Sequence, residues 1–234
     1  MGTLYMIRHG QASFGTENYD RLSPTGIRQA DILAAHIERC KITANIFYSG
    51  EMKRQIDTAS PAVLRSRQKN PGSPGLTIDG SFNEYSSQDL MVTFARKIAV
   101  DDFGEDIETI YGDRKKFQRL FERILSGWAN GTYKKDGLAT WEEFASRVWD
   151  GMKRIMTEHP SGKTVVIFTS GGPISAMVQK SLKLSNDSAI RLGWQIANAS
   201  LTKFLYNREN FTLSTFNETT HLLLEGDPGL ITYR

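Results

Sequence analysis

Short apolar runs alternate with helix-like repeats over much of the chain. The runs at residues 4–7, 45–48, 76–78 and 163–168 are each bounded by polar or glycine-containing segments, as is typical of buried strands. Apolar positions with helical spacing follow the first, second and fourth of these runs. A chain in which strands alternate with helices is predicted to have an α/β fold.

Capping residues and breakers set the predicted boundaries of the first two helices. Ser23 and Pro24 are typical of a helix start. The buried face of that helix is predicted to carry Ile27, Ala30, Ala34 and Ile37. The second helix has Arg54 in its first turns, on the end that points back toward the carboxyl edge of the sheet, although an arginine on the helix surface is by itself the commoner case. Residues 65–75 include two prolines and two glycines and are predicted to form an exposed loop.

The strand pattern stops between about residues 86 and 162, where helical repeats replace it. Residues 117–128 keep strict helical spacing, and Thr140 with Glu143 predicts a capping box before a further helix. We expect this helical insertion to lie over the active edge of the sheet and to shape substrate access. Residues 198–206 and 211–216 are strand-like and predict a hairpin after the insertion.

Composition narrows the class of protein. A chain of 234 residues suits a single domain, residues 1–234, that carries the insertion. The net charge of +3 mildly favours anionic ligands, but no dense basic stripe with interleaved aromatic residues indicates nucleic acid. The single cysteine, Cys40, excludes an internal disulfide, and no Cys/His cluster has zinc-ligand spacing. With no apolar run of about 18 residues, we expect no membrane partner and a cytoplasmic location. No oligomeric state follows from the sequence.

The first candidate for chemistry is Arg8-His9-Gly10, directly after the first apolar run. In an α/β sheet, ligands bind beyond the carboxyl ends of the strands, where these side chains are expected. A neutral imidazole can attack phosphorus, and a neighbouring guanidinium presents donors matched to phosphate oxygens. On its own this tripeptide fits a histidine that only caps a loop equally well.

Two further segments follow predicted strands. Glu84 lies between Phe82 and Tyr85, which would shield its carboxyl group and raise its pKa as a general acid requires, although an exposed loop glutamate is the alternative. Ser170 and Gly171 follow the fourth apolar run and precede a helix whose N-terminal N–H groups can bind an anion. A plain strand-to-helix turn explains that second segment equally well.

Together, Arg8-His9-Gly10, residues 49–59 with Arg54, Glu84, and residues 169–172 occur in the order seen in the histidine phosphatase superfamily, the phosphoglycerate mutase-like group. The chain resembles this family over nearly its whole length. The resemblance implies a three-layer α/β/α sandwich with a mainly parallel central sheet. It also implies that His9 accepts a phosphoryl group, that the two arginines bind its oxygens, and that Glu84 protonates the departing alcohol and then activates water. No metal or organic cofactor is implied.

Two departures from the family pattern bear on activity. Ser170 stands where the family usually has a second histidine, although its hydroxyl and the helix N-terminus can still donate hydrogen bonds. His221 is a possible substitute for that histidine. The segment after Gly10 differs from that of mutases, and the leaving-group pocket is expected to include Gln11, Ser13 and Asn18.

The second departure favours a phosphatase over a mutase. A mutase must hold its phosphoenzyme against water, which asks more of the site than hydrolysis does. The expected substrate is a small phosphorylated metabolite or a phosphoprotein. A weakened relative that binds phosphorylated ligands or partners without hydrolysing them is the main alternative, and a phosphoglycerate mutase-type transferase is the second.

Overall fold

A six-stranded sheet forms the centre of the molecule in the computed structural model, which describes residues 1–13 and 20–233. The strands are β1 (Gly2–Arg8), β2 (Ile46–Ser49), β3 (Leu76–Ile78), β4 (Thr164–Thr169), β5 (Leu201–Tyr206) and β6 (Phe211–Glu218). Their order across the sheet is β3-β2-β4-β1-β5-β6. The first four in that order run parallel, whereas β5 is antiparallel to both β1 and β6. The predicted, mainly parallel sheet and the predicted hairpin are confirmed.

Helices cover both faces of this sheet. They are α1 (Pro24–Arg39), α2 (Lys53–Lys69), α3 (Ser87–Phe103), α4 (Ile107–Gly112), α5 (Arg114–Ala129), α6 (Trp141–Glu158), α7 (Gly171–Leu182), α8 (Asn186–Gln195) and α9 (Thr220–Leu223). One apolar core joins α1, α2 and α9 to the sheet, and a larger one joins α3, α5, α6, α7 and α8 to its other face. The structure is therefore the expected α/β/α sandwich. The four helices α3 to α6 lie between β3 and β4 in the chain.

The centre of the sheet is formed by the most apolar strands. Met6 and Ile7 on β1, and Val166 and Ile167 on β4, are completely buried because helices pack on both faces. Parallel pairing of β1 with β4 aligns Arg8 with Thr169 at the carboxyl edge. The residues of the candidate site directly follow the strands at this edge.

The start of α1 faces a different way from the prediction. Ser23 does cap the helix, but Ile27 is 55% exposed. The reason is the close packing of Gly26, where an added Cβ would lie 2.1 Å from the Gln11 carbonyl oxygen. Because neighbouring helical positions are about 100° apart, this contact turns position 27 toward solvent. The prediction is confirmed for Ala30, Ala34 and Ile37, which are buried, and Leu33 is buried with them.

The predicted loop at residues 65–75 is also partly wrong, since α2 continues to Lys69. Arginine, glutamine and lysine are good helix formers, and here they lie on an exposed surface. Lys69 is the last helical residue, because Asn70, which precedes Pro71, has an extended backbone. Farther along, the capping box of Thr140 and Glu143 forms as predicted at the start of α6. In the part of the chain that the structure describes, no helix is long and apolar enough to cross a membrane.

Candidate active site

His9 follows β1 directly and is only 4% exposed. Its backbone is held on both sides, because its N–H donates to the Thr169 carbonyl (2.8 Å) and its carbonyl accepts from the Asn198 side chain (3.0 Å). In the ring, Nδ1 lies 2.7 Å from the carbonyl oxygen of Gly10, a partner that can only accept. Nδ1 therefore carries the proton, and the lone pair of the neutral imidazole is on Nε2.

Gly10 makes this turn possible. An added Cβ at this position would lie 2.5 Å from the backbone carbonyl oxygen of Gly26, at the start of α1. The Gly10 N–H donates to the hydroxyl of Thr58 on α2 (3.0 Å). The absence of a side chain thus lets β1, α1 and α2 meet behind the histidine.

Arg54, in the first turn of α2, is the nearest cation to the histidine. Its Nε donates to His9 Nε2 (3.1 Å), and its Nη1 pairs with Asp20 (2.7 Å). Burial lowers the pKa of His9 well below its ordinary value of 6.5, and the charges of Arg54 and Arg8 lower it further. The imidazole is therefore neutral at pH 7 and retains its lone pair.

Arg8, the last residue of β1, is oriented by the C-terminal part of the chain. Its guanidinium donates to the carbonyls of Ile196 and of Tyr233, the second at 2.9 Å. The same terminal segment is tied to α1, because the Gln29 amide donates to the Leu230 carbonyl (2.8 Å) and to the Thr232 hydroxyl (2.9 Å). The end of the described chain thus lies against the site, a position that the sequence left open.

Glu84 reaches the site from the segment between β3 and α3. Its carboxylate accepts hydrogen bonds from the backbone N–H groups of Gly172 (3.0 Å) and Tyr85 (3.1 Å). Burial raises the pKa of this carboxyl group above 4.5. The two backbone hydrogen bonds and the charges of Arg54 and Arg8 oppose the shift without cancelling it. Gly172 must be glycine for this contact, because a Cβ there would lie 1.9 Å from the glutamate oxygen.

The four charged or titratable side chains line one cavity of about 640 Å³. The four are Arg8, His9, Arg54 and Glu84. Much of the remaining wall is apolar and comes from the segment after Glu84 and from α3, α5 and α8. These apolar residues are Tyr85, Met91, Phe117, Phe121, Ile190 and Trp194. The cavity therefore combines anion-binding groups with an apolar wall.

Of the other residues predicted to take part in the site, one lines the cavity and two lie in the interior. Gly171 lines the cavity at the start of α7. Ser170 is completely buried, and its hydroxyl accepts a hydrogen bond from the Gln55 amide (2.8 Å). His221 does not reach the cavity, since it stacks on His36 in the core beside α1, with ring centroids 5.0 Å apart. It is neither in a loop nor available to replace a catalytic histidine.

The expected leaving-group residues are not part of the described cavity wall. The Gln11 side chain accepts from the Ser23 hydroxyl (2.7 Å), which fixes it at the start of α1. Ser13 pairs through its backbone N–H with the Arg21 carbonyl (2.8 Å). Asn18 lies outside the described residues. Residues of α3 and α5 form the wall instead, within the helical insertion that was expected to shape substrate access, although their aromatic side chains were expected in the core. Residues of α8, a helix that was not predicted, complete the wall.

Comparison with known proteins places this geometry in a family. Residues 4–84 and 102–219 match the model of the histidine phosphatase superfamily (branch 1). No curated protein sequence matches the chain significantly.

Several solved structures share the fold. Phosphoserine phosphatase from Entamoeba histolytica, bound to 3-phosphoglyceric acid, superposes with a TM-score of 0.65 at 20% identity over 95% of this chain and 100% of its own. A mycobacterial glucosyl-3-phosphoglycerate phosphatase with inorganic phosphate gives 0.66 at 22% identity over 94% and 98%. YhfR of Bacillus stearothermophilus gives 0.67 at 17% identity over 95% and 100%. By its family match and its fold, the chain belongs to the histidine phosphatase superfamily.

Proposed function

We propose that this protein is a phosphomonoester hydrolase that works through a phosphohistidine on His9. The observation that best supports this proposal is the protonation state of the His9 ring. Its Nδ1–H donates to the Gly10 carbonyl, and Nε2 faces the Arg54 guanidinium in the cavity. A neutral ring with its lone pair on the cavity-facing nitrogen is the form that attacks phosphorus.

The reaction divides into two displacements. In the first, Nε2 of His9 forms a bond to phosphorus, the bond from phosphorus to the ester oxygen breaks, and protonated Glu84 gives its proton to the departing alkoxide. In the second, the Glu84 carboxylate takes a proton from water, and the resulting hydroxide attacks phosphorus. The bond from Nε2 to phosphorus then breaks, which releases phosphate and restores both residues. The raised pKa of Glu84 supports this exchange of roles.

Arg8 and Arg54 supply the positive charge for both steps. Each presents planar N–H donors that match phosphoryl oxygens, and both are positioned before substrate binds. The N–H groups at the start of α7, beginning with Gly171, add a further anion-binding element. With this set of donors the proposed chemistry uses no metal ion and no organic cofactor.

The substrate is a small phosphorylated metabolite or a phosphoprotein. The apolar cavity wall favours, within this class, a phosphoester whose alcohol part is apolar or aromatic. Among the described residues of the wall, Arg8 and Arg54 are the only side chains with a fixed positive charge, and both serve the phosphoryl group. No additional lysine or arginine of that described wall is left for a substrate carboxylate. This arrangement favours hydrolysis of an apolar ester over a phosphoglycerate mutase reaction.

A panel of phosphoesters tests the proposal. 1-Naphthyl phosphate and phosphotyrosine should be hydrolysed with kcat/KM at least about tenfold above phosphoserine or 3-phosphoglycerate, given the transfer free energy of an aromatic ring. His9→Ala should reduce turnover by at least about 10³-fold, because the nucleophile is lost. His159→Gln is the matched control, since His159 bonds to Tyr48 and is not part of the described cavity wall.

Trapping the intermediate separates mechanism from activity. Rapid acid-free quenching of the enzyme with labelled substrate should yield base-stable, acid-labile phosphate on the peptide that contains His9. Full turnover by His9→Ala, or label on another residue, would contradict the assignment of the nucleophile.

A protein that binds phosphorylated ligands without hydrolysing them is the second candidate. The observation that favours it is Ser170, which stands where the family usually has a histidine and is buried against Gln55 rather than exposed in the cavity. Calorimetry that detects phosphoester binding, with no phosphate released from any member of the panel, would establish this second function. Transfer of the label to 2-phosphoglycerate or 3-phosphoglycerate in preference to water would instead identify a mutase.

A further inference from the structure

A second cluster of ligand-type side chains lies on the face of the sheet that α1 and α9 cover. His36 lies in the last turn of α1, Glu218 ends β6, and His221 is in α9. One ligand atom from each of the three lies within 4.8 Å of the others. Nε2 of His36 is 3.8 Å from a carboxylate oxygen of Glu218, and the two imidazole rings stack with an interplanar angle of 29°.

His221 is the unusual member of this cluster. It is 3% exposed, and neither ring nitrogen has a hydrogen-bond partner of normal geometry among the described residues. Leaving a buried polar group without a partner is costly, and such groups in native proteins are uncommon. Burial and the neighbouring His36 lower the pKa of His221 to about 4, although Glu218 and the Ala199 backbone oppose the shift. An imidazole nitrogen without a hydrogen-bond partner can donate its lone pair to a metal ion.

From this arrangement we infer that His36, Glu218 and His221 bind one divalent transition-metal ion, with Zn²⁺ as the best match. Two imidazole nitrogens and one carboxylate oxygen are a donor set that suits Zn²⁺, whereas Ca²⁺ and Mg²⁺ prefer oxygen donors alone. Water completes the coordination. The site is separate from the cavity that contains His9 and has no part in the proposed hydrolysis.

The three donors must move closer together to bind an ion. Tetrahedral ligands about 2.0–2.2 Å from Zn²⁺ lie about 3.4 Å from one another. The ligand atoms here lie up to 4.8 Å apart and the two imidazole rings are stacked, so the His36 and Glu218 side chains, which are 17% and 33% exposed, would rotate to direct their lone pairs at the ion. His221, in contrast, is fixed by burial, so it is the group toward which the other two would close.

Such an ion would hold together parts of the chain that are distant in sequence. It would connect the end of α1 to β6 and to α9, immediately before the terminal segment whose Tyr233 carbonyl binds Arg8. We assign the ion a structural role, and expect it to raise thermal stability rather than to supply chemistry.

Metal titration of the full chain tests this inference. Cys40→Ala is the starting variant, because the exposed Cys40 thiol lies 3.6 Å from Nε2 of His36 and would itself attract metal. The protein is stripped with a chelator, then titrated with Co²⁺, followed by its visible absorption, and with Zn²⁺ in competition with a chromophoric chelator. One ion should bind per chain. At about 100 times Kd, Zn²⁺ should raise Tm by roughly 5–10 °C.

Variants locate the bound ion. His36→Gln and Glu218→Gln, which change partly exposed side chains and so preserve folding, should each weaken Zn²⁺ binding by at least about 100-fold. His159→Gln, the matched histidine control, and His9→Ala should leave the affinity unchanged. The inference is overturned if His36→Gln and Glu218→Gln bind as tightly as the starting variant, if His9→Ala loses the ion, or if removing the Cys40 thiol already abolishes binding. None of these results bears on phosphoester turnover by the metal-free protein.

Discussion

Nε of Arg54 lies 3.1 Å from Nε2 of His9, so a cation donates a hydrogen bond to the nitrogen that the proposed mechanism uses as nucleophile. The contact keeps the lone pair directed into the cavity and, together with burial, keeps the ring deprotonated. When a phosphoryl group arrives, its oxygens compete for the same guanidinium donors. In the proposed mechanism, phosphate binding would therefore free the lone pair of Nε2 for attack on phosphorus.

Replacing Arg54 by lysine tests how much of this depends on geometry rather than charge. Arg54→Lys keeps the positive charge but loses the planar fork that contacts both His9 and Asp20, so we expect kcat/KM to fall by about 10²- to 10³-fold. Arg28→Lys, which changes an exposed arginine paired with Asp227, is the control and should retain activity. Steady-state kinetics on 1-naphthyl phosphate measure both. Near wild-type activity in Arg54→Lys would mean that charge alone suffices.

The pH dependence of kcat/KM should be bell-shaped, with its rising limb set by His9 and its falling limb by Glu84. Because burial, followed by the two arginines, lowers the pKa of His9, the ring loses its proton below pH 6.5 and activity rises through that lowered pKa. Because burial raises the pKa of Glu84 above 4.5, the general acid stays protonated to a higher pH than usual, and activity falls as it ionises. Glu84→Gln should lower the rate by about 10²- to 10⁴-fold and abolish the falling limb. A falling limb that persists in this variant would assign it to another group.

Gly172→Ala probes the support of Glu84 without replacing any titratable group. The new Cβ would lie 1.9 Å from the carboxylate oxygen, so Glu84 must move away from the backbone N–H that it accepts from. We expect alkyl phosphates, whose alcohols need a proton to depart, to lose at least about tenfold more activity than p-nitrophenyl phosphate. Gly112→Ala is the control, because a Cβ there meets nothing within 4 Å. Equal losses on both substrates would argue against a general-acid role.

Replacing Ser170 by histidine tests whether the site is complete as it stands or weakened by the serine. Ser170 is fully buried against Gln55, so Ser170→His must force a larger ring into packed surroundings and should destabilise the protein by about 1–3 kcal/mol. We expect no gain in turnover. Thermal unfolding and the phosphoester panel measure the two effects, with Ser60→His on the exposed side of α2 as a control for the substitution itself. A gain of tenfold or more would support the reading of this chain as a weakened relative.

The sequence predicted the parts of the site that follow strands. Residues placed directly after buried strands converge at one edge of a parallel sheet, so apolar runs and glycines indicated where Arg8, His9 and Gly171 would lie. Those patterns left a loop-capping histidine and a plain turn equally open, and the expected roles of these residues and of Arg54 came from the resemblance to the family. Burial patterns of this kind depend on local periodicity, which a sequence carries explicitly.

Contacts between distant segments could not be predicted in this way. The hydrogen bond from Arg8 to the Tyr233 carbonyl spans 225 positions and involves a backbone atom that every residue possesses. The burial of Ser170 depends on Gln55, whose helical position looks ordinary in the sequence. His36 and His221 meet only because β6 and α9 return the chain to α1, and their spacing matches no metal motif.

The central position of β1 also constrains how the chain is made in the cell. This strand pairs with β4 on one side and β5 on the other, which begin at Thr164 and Leu201. At translation rates of about 5–20 residues per second, roughly 8–40 s separate its synthesis from that of both neighbours. The apolar strand Gly2–Arg8 is therefore synthesised well before either strand that it pairs with.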